Sequence, residues 1–172
     1  MSLALNFILK IRIAGIIEDS VVDGAGLRLT VFAQGCSRHC LGCHNPTTHD
    51  YNGGYEIDTQ EIIKTMNANP LLDGLSISGG EPFDQPEGFY ELAKLAKSFN
   101  YHVMAWSGYK FEDLIKDFSR RRMLEYIDVL IDGEFILKLR SLNLKWRGSS
   151  NQRVIDVPAS LLKSEAVLLK II

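Results

Sequence analysis

Residues 27–46 read LRLTVFAQGCSRHCLGCHNP, and this stretch governs how the rest of the chain is interpreted. Its first part, Leu27 to Ala33, is an apolar run with β-branched residues, which predicts a buried strand. The cysteine loop that follows, residues 34–46, contains Cys36, Cys40 and Cys43, and the chain has three cysteines in all. Three thiols spaced C-x3-C-x2-C directly after a strand indicate metal or redox chemistry at the end of a sheet.

Beyond the cysteine loop, short apolar strands alternate with amphipathic helices. The predicted strands are 75–78, 101–106 and 127–131, and the predicted helices begin at Asp58, at Asp84 and near Phe111. Asp58 and Asp84 each precede a glutamate by three residues, which is typical of a helix N-terminus. Strands and helices that alternate in this way predict an α/β protein with a parallel sheet and right-handed crossovers.

The two ends of the chain are also apolar. Residues 1–17 read MSLALNFILKIRIAGII, but Lys10 and Arg12 interrupt the run and no basic region precedes it. A signal peptide and a membrane span are therefore not expected, and the β-branched content predicts a strand. Residues 166–172, AVLLKII, favour another strand or a short helix.

Composition limits the class of protein. A chain of 172 residues, 46% of them hydrophobic, fits a single domain over 1–172. A net charge of -2 gives no general attraction to nucleic acid or to an anionic membrane. The basic run 120–122 is interpreted as a solvated helix face and not as a phosphate site. Close, odd-numbered cysteines without an export signal indicate a reducing compartment, so we expect a cytoplasmic protein.

Four segments of unusual composition follow the predicted strands. They are the cysteine loop, 79–84, 107–110 and 132–134. In parallel α/β folds, ligands bind in the loops beyond the carboxyl ends of the strands. We therefore expect the four segments to converge on one rim of the sheet.

Several chemistries use three neighbouring thiols. A zinc site would need His39, His44 or His49 as a fourth ligand, and a redox dithiol of Cys40 and Cys43 would leave Cys36 unused. Inert buried thiols fit poorly in so polar a loop. An iron–sulfur cluster explains the number best, because three thiolates on four irons leave one iron open to another ligand. Zinc remains the main alternative.

The cysteine spacing together with Gly79-Gly80-Glu81-Pro82 resembles the radical S-adenosylmethionine superfamily. Within that superfamily the chain is similar, from about Ile11 to Val157, to activating proteins of anaerobic ribonucleoside-triphosphate reductases. The segments that carry this resemblance are VDGAGLRLTVFAQGC (22–36), CLGCHNP (40–46), LSISGGEPF (75–83), WSGYKFEDL (106–114), IDVLIDGEF (127–135) and WRGSSNQRVIDV (146–157).

The resemblance implies a mechanism. Cys36, Cys40 and Cys43 would hold a 4Fe-4S cluster whose open iron takes the amino and carboxylate groups of S-adenosylmethionine. Reductive cleavage would release a 5'-deoxyadenosyl radical, which would abstract hydrogen from a glycine in the large subunit of the reductase. The electron would come from a reduced flavodoxin-like or ferredoxin-like donor. Neither nucleic acid nor a membrane is an expected partner.

The resemblance also implies a cofactor-binding set: Gly42, Cys43, His44, Gly79, Gly80, Glu81, Ser107 and Asp132. The two glycines would let backbone approach the methionine end, and Glu81 would accept from the ammonium. Backbone beside Cys43 would face the adenine, although the superfamily usually has an aromatic residue where Gly42 stands.

The remaining roles concern the later strand ends. Ser107 and Gly108 would reach the ribose or the sulfonium, and Asp132 and Glu134 would bind ribose hydroxyls or a cation. A simple Asp-Gly turn explains Asp132 nearly as well. Three residues after the last clear strand are interpreted as a partner-facing surface, with a core position as the alternative for the first of them: Trp146, Arg147 and Asn151. His102 is interpreted as structural.

Chain length refines the expected fold. About four β/α units cannot close an eight-stranded barrel, so we expect a partial, open TIM-like (β/α) barrel of the radical S-adenosylmethionine type. An open side suits a macromolecular substrate. Three alternatives remain: an activator of another glycyl-radical enzyme such as pyruvate formate-lyase, a radical enzyme acting on a small molecule, and a Cys3His zinc-binding module.

Overall fold

The computed structural model describes residues 9–170. The strands are β1 (Lys10–Ser20), β2 (Arg28–Ala33), β3 (Tyr55–Asp58), β4 (Gly74–Gly79), β5 (His102–Ser107), β6 (Val129–Asp132) and β7 (Arg153–Asp156). The helices are α1 (Thr59–Ala68), α2 (Pro86–Ser98), α3 (Phe111–Leu114), α4 (Phe118–Leu124) and α5 (Val157–Lys163). The predicted terminal strands therefore lie partly outside the described residues, at 1–8 and 171–172.

All seven strands form one sheet in the order β3-β1-β2-β4-β5-β6-β7. The central strands β2, β4, β5 and β6 are parallel, as predicted, whereas β1, β3 and β7 pair antiparallel with their neighbours. Residues 21–27 alone join β1 to β2, which is too short for the crossover that a parallel pair requires. The prediction of a parallel sheet is correct for the centre and wrong for both edges.

The sheet does not close on itself. In the described chain the edge strands β3 and β7 pair with one neighbour each, so the architecture is an open, mixed α/β sheet. Alternate residues face opposite sides: Val103 and Ala105 belong to the large core under the helices, whereas Met104 packs with Ile131 and Val154 on the other face. The helices cover the face that carries the large core, and the second face carries the smaller cluster.

Helix boundaries follow the sequence only in part. Asp58 caps α1 by accepting from the backbone N–H of Gln60, as its position predicts. The predicted cap at Asp84 is wrong, because α2 begins at Pro86 after a separate 3-10 turn and Asp84 accepts hydrogen bonds from other loops. The single helix predicted near Phe111 is two short helices, since Asp117 caps a new helix, α4.

The recurrence of Phe89, Leu92, Ala93, Ala96 and Phe99 in the sequence predicts one buried helical face. The first four are buried in α2, whereas Phe99 lies beyond its end and is 52% exposed. Arg120 is not solvated as predicted: its Nε donates to the carbonyl of Phe83, and its guanidinium lies 4.2 Å from the ring centre of Tyr109. The described C-terminal residues pair with β7 through Leu168 and form no helix there.

The segment between β1 and β2 is held under the second face of the sheet by Arg28. This fully buried guanidinium donates to the hydroxyl of Ser76 at 3.1 Å, to the carbonyl of Ala25 at 3.3 Å and to the carbonyl of His102 at 3.0 Å. Burial lowers the pKa of Arg28 to about 10, so it stays charged near neutral pH. His102 also contacts Arg28 through Nδ1, in agreement with a structural role.

The helices of the described chain are short, and the longest of them, α2, has 13 residues. Between residues 9 and 170, none of them combines the length and the apolar character needed to cross a bilayer.

Candidate functional site

A cavity of about 650 Å³ opens at the carboxyl ends of the parallel strands. Its wall includes residues from each of the four segments or from directly beside them: Cys36, Cys40 and Cys43, Gly79, Gly80 and Glu81, Ser107 and Gly108, and Gly133. The predicted convergence on one rim is therefore observed. A cavity of this size suits a small-molecule ligand.

The three cysteines are free thiols, of which Cys36 is buried and the others are partly exposed. A backbone hydrogen bond from Cys43 N–H to the carbonyl of Cys40 forms the turn between the last two. Among residues 9–170, no three His, Cys, Asp or Glu side chains are arranged to hold a single metal ion. Burial raises the pKa of both Cys36 and Cys40, and because thiolates are the ligands, loading a metal centre here would release protons.

The β2–β3 segment, residues 34–54, is closed by hydrogen bonds between its two sides. Gly35 N–H donates to Thr48 at 2.8 Å, and Cys36 N–H donates to His49 at 3.3 Å. The buried side chain of Gln34 donates to the carbonyls of Thr47 at 3.1 Å and Asp50 at 2.6 Å. The cysteines therefore project from a loop whose backbone is fixed on both sides.

Asp84 connects this segment to two other strand ends. Its carboxylate accepts from Ser37 N–H at 2.9 Å, from the Tyr51 hydroxyl at 2.7 Å and from the Tyr109 hydroxyl at 3.0 Å. Burial would raise the pKa of Asp84, but these donors outweigh it and hold the pKa below its usual value. The sequence interpretation missed this role because Asp84 stands in a typical helix-cap position.

The two glycines after β4 are needed for close backbone contact. A Cβ at Gly79 would lie 2.5 Å from Ala33 N, and one at Gly80 would overlap the carbonyl of Gly35. Gly80 N–H donates to Ala33 and Glu81 N–H donates to Gly35, both at 2.8 Å. The glycines line the cavity as expected, yet their required contact is with the protein's own backbone.

Glu81 lies fully buried in the cavity wall. Its carboxylate accepts from Phe83 N–H at 3.1 Å, Ser107 Oγ at 2.9 Å and Gly108 N–H at 2.7 Å. Burial raises the pKa of Glu81 to about 7, against these three donors. Since a carboxylate accepts roughly four hydrogen bonds, Glu81 both fixes the loop after β5 and has limited capacity left for a ligand.

Ser107 is similarly committed: its hydroxyl donates to Glu81 and accepts from Tyr109 N–H at 3.0 Å. Ser107 lines the cavity, but this geometry directs its hydroxyl to the protein.

The structure does not bring Asp132 to the cavity. Its carboxylate is completely buried and accepts from Phe111 N–H at 2.7 Å and from Arg153 Nε at 2.9 Å. Arg153 turns the carboxylate towards β7 and α3, so the expectation that Asp132 binds ribose or a cation is corrected. Glu134 is half-exposed and forms a 3.5 Å ion pair with Arg38.

The position of Gly42 explains the missing aromatic residue. Gly42 has φ 73°, and a Cβ there would lie 2.9 Å from Cδ1 of Leu137. Leu137 belongs to the β6–β7 segment, residues 133–152. The same segment places the ring of Phe135 5.1 Å from that of His44. Phe135 lines the cavity, so an aromatic surface that the sequence did not identify stands close to the cysteine loop.

The WRGSSNQ block mainly builds the β6–β7 segment. The carbonyl of Trp146 accepts from Trp106 Nε1 at 2.7 Å, and its ring packs on the apolar residues of the second sheet face. Asn151 is exposed but donates to the carbonyl of Glu134 at 2.8 Å. Trp146 is therefore partly buried against the second core cluster and also lines the cavity, so the core alternative holds in part.

The cavity also collects polar atoms that have no protein partner. Within residues 9–170, four buried side-chain polar atoms make no hydrogen bond, and three of them belong to residues that line this cavity: Arg38 Nε, His49 Nε2 and Arg147 Nε. All three are nitrogen atoms, and a buried donor without an acceptor is energetically costly. Three thiols and three unpaired nitrogen atoms fit a negatively charged thiolate-bound iron–sulfur centre with an anionic ligand.

Comparisons with known proteins agree with this donor set. Residues 22–155 match the family model described as a 4Fe-4S single cluster domain. A protein of Escherichia coli K12 is 34% identical over 143 residues, which cover 78% of this chain and 91% of the relative. A Haemophilus influenzae protein is 36% identical over 77% of this chain and 89% of its own. An Enterobacteria phage T4 protein is 34% identical over 77% and 86%. Each is named an anaerobic ribonucleoside-triphosphate reductase-activating protein.

Proposed function

This chain belongs to the anaerobic ribonucleoside-triphosphate reductase-activating protein family, and we propose that it activates such a reductase by radical S-adenosylmethionine chemistry. The observation that carries the proposal is the placement of all three cysteines on one cavity, together with the glycine-glycine-glutamate segment and unpaired nitrogen donors. The reaction is inferred from the family, and its location is inferred from the cavity.

Cys36, Cys40 and Cys43 hold the 4Fe-4S cluster in this proposal, and the lack of a fourth cysteine leaves one iron for S-adenosylmethionine. When bound and reduced by a flavodoxin-like or ferredoxin-like donor, the pair of cofactors supplies a 5'-deoxyadenosyl radical that takes hydrogen from a glycine of the large subunit. The chain itself binds, orients and shields these groups.

The proposed cofactor-binding set is Gly42, Cys43, His44, Gly79, Gly80, Glu81 and Ser107, without Asp132. Gly79, Gly80 and Glu81 form the wall on the methionine side. The backbone around Cys43 faces the adenine, and we add Phe135 as an apolar surface for that base because its ring stands beside His44. The buried Glu81 orients this wall through the backbone of Gly108.

We further propose that 1–172 form one radical S-adenosylmethionine domain whose open sheet corresponds to a partial TIM-like barrel. The open side supports a macromolecular substrate. Large aliphatic side chains stand exposed in or near the cavity rim: Val22 is 75% exposed, Leu41 81% and Leu142 85%. Exposed apolar surface of this kind marks interaction sites, here for the glycine-bearing part of the large subunit.

The test is anaerobic reconstitution with iron and sulfide, followed by reduction in the presence of S-adenosylmethionine. We expect four irons per chain, visible charge-transfer absorption and release of 5'-deoxyadenosine. A protein that takes up zinc and shows no visible absorption would contradict the proposal and favour the zinc-binding module.

A further inference from the structure

His49 has an unused nitrogen in the wall of the cysteine cavity. Its Nε2 is buried and has no partner among the residues that the structure describes. The residue lines the same cavity as Cys36, Cys40 and Cys43. A buried imidazole nitrogen in this position lacks only a ligand atom to complete its hydrogen bonding.

The backbone of His49 is tied to one of the cysteines. His49 follows the 3-10 turn Pro46–Thr48, and its N–H donates to the carbonyl of Pro46 at 3.2 Å. Its own carbonyl accepts from Cys36 N–H at 3.3 Å. The imidazole is therefore held at a constant place relative to a proposed cluster ligand.

A second histidine constrains which nitrogen of His49 carries the proton. Nδ1 of His39 lies 3.3 Å from Nδ1 of His49, with the rings edge to face and 4.9 Å apart. Two neutral imidazoles in this contact share one proton between the Nδ1 atoms. When His39 donates, His49 carries its own proton on Nε2, the atom that lacks a partner. His39 is exposed, so its remaining nitrogen is open to solvent.

The cavity wall offers few competing acceptors. Its carboxylates are Glu81, which already accepts three hydrogen bonds, and Asp23, which accepts from the Ser20 hydroxyl at 2.6 Å. The sulfur atoms of the cysteine site are further acceptors in the same wall, and at Cys36 the sulfur already accepts from the backbone N–H groups of Arg38 and His39. An N–H facing sulfur stabilises the more negative, reduced form of an iron–sulfur centre.

We propose that His49 donates a hydrogen bond from Nε2 to a sulfur atom of the iron–sulfur centre and thereby raises its reduction potential. His39 is a positioning residue that sets the tautomer of His49. This inference rests on the proposed function, since it needs the cluster. As a consequence, a physiological donor reduces the cluster more readily than it would reduce the same cluster without this hydrogen bond.

The experiment is an anaerobic redox titration of the reconstituted protein without S-adenosylmethionine, followed by the spin-resonance signal of the reduced cluster. In His49→Phe the ring volume stays but the donor is lost, so we expect a more negative midpoint potential. At one fixed solution potential the ratio of reduced to oxidised cluster should fall about tenfold, equivalent to about 59 mV for a one-electron couple. His49→Gln places an amide N–H near the former Nε2 and should stay close to the wild-type protein.

The outcomes separate this inference from the proposed function. A wild-type protein that assembles no iron–sulfur cluster overturns both. Four irons with an unchanged potential in His49→Phe, or a potential in His49→Gln as low as in His49→Phe, overturns this inference alone. If His49→Phe retains no cluster, His39→Phe decides: a more negative potential supports the inference, and an unchanged one contradicts it.

Discussion

Two long connections border the same cavity, and they are held in different ways. The β2–β3 segment is closed by its own hydrogen bonds and is also fixed to another part of the fold, because Ser37 and Tyr51 both donate to Asp84, which lies after β4. The β6–β7 segment is held largely by its own residues: Ser150 N–H donates to Leu139 at 2.9 Å, and Ile136 N–H donates to Ser149 Oγ at 3.2 Å.

The difference indicates a division of roles. A loop that carries cofactor ligands gains from contacts to several strand ends, which keep its geometry constant. A segment that closes on itself can present apolar side chains outward without disturbing that geometry. Ile136, Leu137 and Leu139 of the β6–β7 segment are each 40% to 43% exposed. We therefore expect the first connection to hold the cofactor ligands, with Phe135 of the second beside them, and the second to make most of the partner contact.

The largest effect should come from removing a cluster ligand. In Cys40→Ala, two thiols remain, and we expect loss of the four-iron cluster and of S-adenosylmethionine cleavage, measured by iron analysis and product chromatography. Leu142→Ala in the β6–β7 segment is the control and should keep both. Full cleavage activity in Cys40→Ala would show that the β2–β3 segment does not bind the cluster through its three cysteines.

Asp84→Asn tests how the β2–β3 segment is fixed. The amide offers one acceptor oxygen where the carboxylate receives three donors, so we expect about 1–3 kcal/mol loss of unfolding free energy and faster iron release. Urea denaturation under anaerobic conditions measures the first and chelator kinetics the second. Asp113→Asn, which breaks only an exposed ion pair with Lys116, should change stability by less than about 0.5 kcal/mol. Equal effects of the two changes would show that Asp84 has no special role.

Gly42→Ala tests the contact between the two connections. The positive φ of Gly42 and the nearness of Leu137 should together destabilise the fold by about 1–2 kcal/mol. Leu137→Ala removes the clash with the new Cβ but leaves the backbone strain at position 42. A double-mutant cycle of the two changes should therefore give a coupling energy of at least about 0.5 kcal/mol. Additive effects in urea denaturation would show that Gly42 and Leu137 are independent.

The smallest effect concerns the partner surface. Leu142→Ala should weaken binding of the purified large subunit about fivefold, roughly 1 kcal/mol, because an exposed aliphatic side chain becomes buried in the complex. Calorimetry of the two purified proteins measures this change. Leu162→Ala, on α5 and 89% exposed, is the matched control and should leave the affinity unchanged. A similar loss in both variants would place the interface elsewhere.

The sequence was informative where neighbouring residues decide the structure. Arg28–Ala33 forms a strand, as the mostly apolar run Leu27 to Ala33 predicts, and the parallel strands necessarily bring their carboxyl ends together. The cysteine spacing indicated the site for the same reason, since one loop contains all of it.

Contacts between distant residues could not be read in this way. Asp84 has the local pattern of a helix cap, but its partners Ser37, Tyr51 and Tyr109 come from elsewhere in the chain. Asp132 ends a strand at the rim, yet Arg153 from β7 turns its carboxylate away from the cavity. In both cases a side chain's direction depends on a partner that the local pattern does not reveal.

In the proposed function, the cysteine cavity generates a radical that passes to a protein partner. Its most direct test is anaerobic spin resonance of the reconstituted chain, incubated with reductant, S-adenosylmethionine and the large subunit of the candidate reductase. We expect a glycyl radical signal in the large subunit that requires S-adenosylmethionine and is absent with Cys40→Ala. A reconstituted protein with four irons that cleaves S-adenosylmethionine but never yields this signal would contradict it.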